Sequence, residues 1–214
     1  MRLMEFISAR PDVVRSIRQI EFLRYWLRLR IQADGRTPRM HDFQPERIDE
    51  ERSDLVTYQI DWAESVPRII IASSGARVAE AYGRANERNA GLALGDFIGA
   101  DAVPTVVPVY HACIDRRLPI YTITNFVDNE FHPVVYERLL LPFADRDVIT
   151  HIVGSLKTIS EDGRFQLKNL FVADGNGFPA PTCFVIDQYS AARVRSGRGD
   201  DSGIMEAGSR AENC

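Results

Sequence analysis

The residues best suited to chemistry stand close together at His111, Cys113 and Asp115. A histidine near a thiol and a carboxylate is a set that nucleophilic enzymes use. In a helix, however, each residue turns the chain by about 100°, so Cys113 points about 200° away from His111. His111 and Asp115 share a face, as residues four apart do. The spacing therefore favours a histidine at the edge of a core over a catalytic pair.

Metal binding by histidine is the next chemistry to test against spacing. None of the four histidines lies at the short intervals from another metal-binding side chain that zinc sites use; they are His41, His111, His132 and His151. The chain also lacks a Walker-type loop, a nucleophile elbow and a glycine-rich strand-to-helix turn. We therefore predict no metal site and no enzyme, and an enzyme of unrecognised type is kept as a second alternative.

Composition limits the class of protein further. The 214 residues are 45% hydrophobic and 26% charged, as in an ordinary globular protein. A formal net charge of -4 argues against a broad nucleic-acid surface. No apolar run approaches the roughly 20 residues that span a bilayer, and Glu5 interrupts the segment where a secretory signal would be apolar. Three scattered cysteines suit a reducing compartment, so we expect a cytoplasmic protein without nucleic-acid binding or membrane insertion.

The elements that must position these residues are clearest between Pro119 and Ile159. Three runs rich in β-branched and aromatic residues are separated by short polar turns, which predicts consecutive antiparallel strands at Ile120–Val127, Val134–Phe143 and Val148–Ile159. Apolar residues occupy both faces of the middle run, so we expect both faces to be covered. Glu137 and Arg138 then point to opposite faces, and Ile149 shares a face with Val153.

The preceding segments complete the predicted order of elements. Two strands at Leu55–Trp62 and Arg68–Ser73 are followed by a short helix over Ala76–Tyr82 and a longer one over Pro104–Arg117. On the longer helix one face carries Val107, Tyr110, His111, Ile114 and Leu118. We divide the chain into an N-terminal helix and linker (1–52), a domain (53–160), an extension that packs on it (161–192) and a disordered tail (193–214).

The N-terminal helix, predicted over Pro11–Arg30, has two apolar stripes. Ile17, Ile20, Leu23 and Leu27 form one, and Phe22, Trp26 and Leu29 form the other. Together they cover more than half of the circumference, which is too much for a helix resting on one surface. We predict that the second stripe forms a homodimer interface. The alternative is that the segment after Glu161 folds back over the same stripe.

This order of elements resembles the PAS fold, a five-stranded antiparallel sheet with short helices on one face. More specifically, the chain resembles a bacterial stand-alone PAS-like family whose members begin with a helix containing a Leu-x-Tyr-Trp-type motif. The likeness covers Ile17 to Ile159 and is carried by residues 23–30, 38–45, 75–83 and 136–144. Two turns depart from the family, with Arg146 in place of a glycine and Ser74-Gly75 in place of Gly-Thr. The expected fold class is α+β, PAS-like, with an N-terminal helical extension.

The resemblance implies a non-enzymatic sensory or interaction module in signal transduction, which binds a small ligand or a protein partner. In PAS domains a ligand usually lies between the sheet and the helices. That cavity would be lined here by Tyr58, Ile70, Val107, Tyr110, His111 and Ile123, with Ile152 at the back. A mostly apolar lining with a few polar tips is typical of a small-molecule site. The alternative is that these side chains simply fill the core.

Cofactor binding is a further alternative that the resemblance raises. Some PAS sensors hold haem through a histidine on the equivalent long helix, which would make His111 an axial ligand. Light-sensing relatives keep a flavin-reactive cysteine in the region that corresponds to residues 84–99, and this chain has none there. We therefore expect no cofactor, with haem at His111 as the alternative.

Overall fold

Seven strands of the described residues form one sheet. A computed structural model describes residues 4–45, 48–82, 88–127, 132–160 and 179–187. The strands are β1 (Phe6–Ala9), β2 (Leu55–Asp61), β3 (Arg68–Ser74), β4 (Ile120–Val127), β5 (Pro133–Asp145), β6 (Val148–Ser160) and β7 (Thr182–Ile186). The α-helices are α1 (Ile17–Gln32), α2 (Ala76–Ala81), α3 (Leu94–Ile98) and α4 (Val103–Arg116). Within these ranges no helix has the length and apolar character needed to cross a membrane.

The five strands β2 to β6 are antiparallel and lie in the order β3-β2-β6-β5-β4. Helices α2, α3 and α4 pack together on one face of them. This arrangement confirms the predicted α+β, PAS-like class. Two further strands extend the sheet, since β7 pairs antiparallel with β4 and β1 pairs parallel with β7. The four residues of β1 are too few to show a strand periodicity in the sequence.

The central strand β5 separates two cores. The helix-side core lies between the sheet and α2, α3 and α4, and receives Val134, Tyr136 and Leu140 from β5. The α1-side core lies between the sheet and α1, and receives Val135, Leu139, Leu141 and Phe143. Because successive side chains of a strand point to opposite faces, one strand supplies both cores. The prediction that both faces are covered is confirmed.

The hairpin between β5 and β6 contains two features that decide its register. Arg146 and Asp147 both have positive φ values, 47° and 69°, as a tight two-residue hairpin turn requires. A glycine would adopt this conformation without strain, which explains the residue type usual in the resembling family. Close by, Phe143 pairs with His151 whereas Ala144 pairs with Ile149, so Thr150 is an extra residue. Because of this bulge, Ile149 points into the helix-side core with Ile152. The prediction that Ile149 shares a face with Val153 is therefore wrong.

Helix α1 uses both of its apolar stripes within its own chain. Phe22, Leu23, Trp26 and Leu27 are all buried. The sheet covers one side of the helix, and Phe43, from the linker after the helix, covers the other through ring contacts with Phe22 and Phe143. Ile17, predicted to face the domain, is 75% exposed. The predicted dimer interface at Phe22, Trp26 and Leu29 is therefore corrected: Phe22 and Trp26 are buried inside the monomer, and Leu29 is partly buried beside them.

Only part of the predicted C-terminal extension lies within the described residues. The alternative cover for α1, the segment after Glu161, lies mostly outside the described residues, as does the predicted tail over 193–214. Residues 182–186 of the predicted extension form β7, which hydrogen-bonds along β4. The division of the chain into domains remains a prediction.

Candidate binding site

The structure brings together four of the seven residues predicted to line a ligand cavity. Tyr58, Tyr110 and Ile152 are buried in the helix-side core, and Val107 is partly buried against it. Ile123 belongs to the α1-side core, and Ile70 is half-buried between Ile69 and Ile71, which both point into the helix-side core. Val107 and His111 line a surface groove on the outer side of α4, together with Pro108, Ala112, Asp115 and Arg116.

The error at α4 arises from a helix with two apolar stripes. Its buried stripe consists of Val106, Val109, Tyr110, Cys113 and Ile114, which recur at helical spacing. The predicted stripe shares Tyr110 and Ile114 with it, whereas Val107 and His111 are half-buried at the edge of the outer groove. Tertiary packing decides which stripe is buried, and the periodicity in the sequence does not.

His111 and Cys113 lie on different sides of α4, as their spacing predicts. The Cys113 thiol is fully buried, 3.5 Å from the carbonyl oxygen of Leu118, and its burial raises its pKa. His111 faces the outer groove. The haem alternative required His111 to enter the space between sheet and helices, and the structure places it outside that space.

The residue that sequence reasoning missed is Arg138, a cation inside the helix-side core. It is 3% exposed and lies on β5 opposite Leu156 of β6. Its guanidinium carbon is 5.5 Å from the ring centre of Tyr110 and 5.3 Å from that of Tyr136, distances at which a cation is attracted to an aromatic face. Nη2 donates to the Tyr136 hydroxyl at 3.5 Å, and Nε has no hydrogen-bond partner. No carboxylate of the described residues forms an ion pair with it.

Three buried tyrosines and one partly buried tyrosine lie around this cation. We call Tyr58, Tyr82, Tyr110 and Tyr136 the tyrosine cluster. The Tyr110 hydroxyl donates to the Tyr58 hydroxyl at 2.9 Å, and their rings meet edge to face. Burial raises the pKa of Tyr58, Tyr82 and Tyr110. Burial by itself lowers the pKa of Arg138, but the four tyrosines raise it well above its usual value. Tyr58, Tyr82 and Tyr110 are therefore neutral groups beside a charged guanidinium.

A small cavity of about 40 Å³ adjoins the tyrosine cluster. Its apolar walls come from α2 and β6, and Tyr136, which contacts Arg138, is part of its lining. It is lined by Asp54, Arg77, Val78, Ala81, Tyr82, Tyr136, Leu156, Lys157 and Thr158. Three of these residues are charged, namely Asp54, Arg77 and Lys157. The cavity thus has charged groups at its edge and aromatic rings at its inner end.

An ion-pair chain connects this cavity to α1. Lys157 Nζ lies 2.7 Å from Asp54 Oδ2 and 2.6 Å from Glu51 Oε2. Arg18 on α1 reaches the same Glu51, with Nε 3.3 Å from Oε1. Arg77 on α2 approaches Asp54, with Nε 3.5 Å from Oδ1. Both acids belong to the 3₁₀ helix Ile48–Asp54, so this short segment joins the two faces of the sheet.

Close backbone packing fixes α2 against the same 3₁₀ helix. A Cβ added at Gly75, the residue that precedes α2, would come within 2.3 Å of the backbone carbonyl oxygens of Arg52 and Ser53. Only glycine permits this approach. The contact of Gly75 with the backbone of Arg52 and Ser53 therefore fixes α2 relative to the 3₁₀ helix that carries Glu51 and Asp54.

A second buried polar group lies in the α1-side core. Glu137 is 0% exposed, and neither of its carboxylate oxygens has a partner in hydrogen-bonding geometry. It lies close to Tyr121, whose pKa is raised by burial and, to a smaller extent, by this carboxylate. Nearby, the Gln19 amide donates to the carbonyl oxygen of Ser155 at 2.8 Å. Gln19 Oε1 and Ser155 Oγ are also without partners. Among the described residues, no group of three or more His, Cys, Asp or Glu side chains is placed to hold a metal ion.

The solved structures that match this chain include LOV proteins. The Rhodobacter sphaeroides LOV protein and a point variant of RsLOV each show 14% identity and a TM-score of 0.37 over 55% of this chain. The similarity covers 66% and 68% of those two chains. An RNA-binding Light-Oxygen-Voltage receptor shows 12% identity and a TM-score of 0.36 over 69% of this chain and 36% of its own.

Comparison by sequence gives no further relatives. No protein-family model matches the chain, and no curated protein matches it.

Proposed function

We propose that this chain is a non-enzymatic PAS-like sensory module, of the bacterial stand-alone type that its sequence resembles, acting in the cytoplasm. A small molecule binds in the cavity beside the tyrosine cluster, and its presence changes how α1 is held. The observation that carries the proposal is that Asp54 and Lys157 serve two structures at once. They line the cavity, and they belong to the ion-pair chain that reaches Arg18 on α1.

A shared side chain is a physical basis for signalling. A ligand shifts a conformational equilibrium only by the difference in its affinity for the two states. A ligand that interacts with Lys157 or Asp54 in the cavity competes with their present ion pairs. Loss of the Lys157 contact to Glu51 weakens the attachment of Arg18, and with it one contact between α1 and the rest of the fold.

The partner of the module would read the outer surface of α1. Arg24 and Arg28 are exposed on that surface, and a groove beside them is lined in part by Tyr25, Leu29 and Ile31. Arginine and aromatic side chains are enriched at protein interfaces. The proposal therefore includes a signalling protein as partner, without nucleic acid, membrane insertion or a catalytic step.

Hydrogen exchange of α1 tests this coupling. The purified protein is screened against a panel of small metabolites by thermal shift, and amide exchange over residues 17–32 is measured with and without any compound that binds. In the wild type we expect ligand to change the exchange of α1. In Arg18→Met, where α1 loses its end of the ion-pair chain and the cavity lining is unchanged, we expect ligand to bind but to leave α1 unchanged.

Arg52→Met is the matched control for that variant. Arg52 pairs with Asp49 in the same 3₁₀ helix, and both side chains are largely exposed, so its loss does not touch the route to α1. The control should respond to ligand as the wild type does. A bound ligand that leaves α1 exchange unaltered in the wild type would contradict the proposed function.

A further inference from the structure

We infer that the molecule bound beside the tyrosine cluster is a small anion, with a carboxylate or a similar oxyanion group that pairs with Arg138. The inference rests on the proposed function and names the chemical class of its ligand. It is carried by a buried guanidinium with an unpartnered Nε, by the neutral groups around it and by the adjoining cavity.

Arg138 is a buried positive charge without a carboxylate partner among the described residues. Burying a charged group without an opposite charge is costly, and buried charges in proteins are normally paired. Arg138 is 3% exposed, and its contacts within the described residues are to tyrosines. Cation–π contacts with Tyr110 and Tyr136 lessen the cost of burial but add no negative charge. An anion would complete the charge balance of this core.

The Arg138 guanidinium also has a buried hydrogen-bond donor without an acceptor in the part of the chain that the structure describes. A guanidinium has five N–H donors in a planar fork that matches the two oxygens of a carboxylate. Among the described residues, the Arg138 guanidinium donates one hydrogen bond, from Nη2 to the Tyr136 hydroxyl at 3.5 Å, and its buried Nε has no partner. Burial raises the pKa of Tyr58, Tyr82 and Tyr110, so these hydroxyls stay protonated and can act as donors to an anion. The Nε–H is thus a buried donor that a carboxylate oxygen would satisfy.

The volume of the cavity limits the size of the anion that can enter. A volume of about 10–15 Å³ holds one water-sized group, so a cavity of about 40 Å³ accommodates a molecule of about three such groups. Formate and acetate are of this size. Arg77 and Lys157 line the cavity, and their ion pairs with Asp54 and Glu51 balance the charge at its entrance. To reach Arg138 from the cavity, the anion must displace the side chain of Tyr82 or Tyr136.

A carboxylate of the chain itself is the competing explanation. Glu87 follows Tyr82 closely in the sequence and lies outside the described residues. If Glu87 neutralised Arg138, no external anion would be needed, and the variant Glu87→Gln would create the binding site that the wild type lacks.

Titration calorimetry with sodium acetate and with its neutral analogue acetamide, at constant ionic strength, tests the inference. We expect the wild-type protein to bind acetate and to bind acetamide at least 10-fold more weakly. Arg138→Met should reduce acetate affinity at least 10-fold. Arg52→Met is the matched control, since Arg52 is largely exposed, pairs with Asp49 and does not line the cavity, and it should retain the wild-type affinity.

Folding of Arg138→Met is checked by near-ultraviolet circular dichroism. If that variant does not fold, Tyr136→Phe replaces it, because it removes the hydroxyl next to Nη2 while preserving the ring, and it should weaken acetate binding. Equal binding of acetate and acetamide, unaffected by Arg138→Met or by Tyr136→Phe, overturns the anion and leaves the proposed function standing. Acetate binding that appears only in Glu87→Gln also overturns it. Absence of any small-molecule binding in calorimetry and in the thermal-shift panel overturns both.

Discussion

Glu137 and Arg138 are consecutive charged residues that cannot pair with each other. Strand alternation sends Glu137 into the α1-side core and Arg138 into the helix-side core, and both are buried. The alternation, and therefore the opposite directions, could be predicted from the sequence. Their burial could not, because it depends on α1 and α4 covering the two faces of β5, and these helices are distant from it along the chain.

Removing the carboxylate of Glu137 is expected to stabilise the fold. Both of its oxygens are buried without partners in hydrogen-bonding geometry, and each unsatisfied buried polar group costs about 1–3 kcal/mol. Glu137→Leu should raise the free energy of unfolding by about 1–3 kcal/mol, and Glu137→Gln, which removes only the charge, should raise it less. Urea unfolding at neutral pH measures both. A Leu variant less stable than the wild type would show that the carboxylate has a stabilising partner.

His151 is expected to make stability depend on pH. Burial lowers its pKa below the usual 6.5, so just below pH 6.5 the unfolded chain binds more protons than the folded one. Stability should therefore fall as the pH falls from about 6.5 toward the pKa of the folded state, and level off below it. His151→Gln should show a smaller change in this range, as measured by urea unfolding between about pH 5 and 7.5. Equal pH dependence in both proteins would exclude this role.

At the scale of elements, the two apolar stripes of α1 do not by themselves show what covers the second stripe. The sequence correctly indicated a helix with two apolar stripes. It did not show that Phe43, 17 residues after Trp26, returns to cover the second stripe. The same pattern therefore fits a dimer and a monomer whose linker folds back. The chain resolves this choice through a tertiary contact outside the helix.

Trp26 should account for much of the attachment of α1. Its indole Nε1 donates to the carbonyl oxygen of Pro142 at 2.7 Å, and the side chain is 0% exposed. Trp26→Phe loses this bond and leaves a buried carbonyl unpaired, so we expect a loss of about 1–3 kcal/mol in unfolding free energy, before any cost of the cavity. Chemical unfolding followed by far-ultraviolet circular dichroism measures the loss.

Trp62 offers a matched comparison. Its Nε1 donates to the carbonyl oxygen of Ile149 at the same distance, 2.7 Å, but the side chain is 44% exposed. Water can replace the lost bond at this position, so Trp62→Phe should cost clearly less than Trp26→Phe. Equal losses in the two variants would mean that burial does not set the strength of the α1 contact.

At the scale of the whole molecule, the fold class could be predicted from the sequence, whereas the candidate site could not. Five strands and three helices follow from local periodicity and turn residues, and these give the PAS-like class. The candidate site depends on which stripe of α4 faces inward and on where Arg138, Tyr58 and Tyr82 meet. Those are distances between segments far apart in sequence, and a single sequence encodes them only through the folded packing.

The parallel pairing of β1 with β7 has a consequence for the speed of folding. Phe6 lies opposite Cys183, so closing this contact brings together residues from nearly opposite ends of the chain. Such loops lose more entropy than hairpins do, and proteins rich in distant contacts fold more slowly. The β5–β6 hairpin, with its two-residue turn, should form early, and β1 should dock last. Pulsed hydrogen exchange during refolding should protect the amides of β5 and β6 before those of β1, and simultaneous protection would contradict this order.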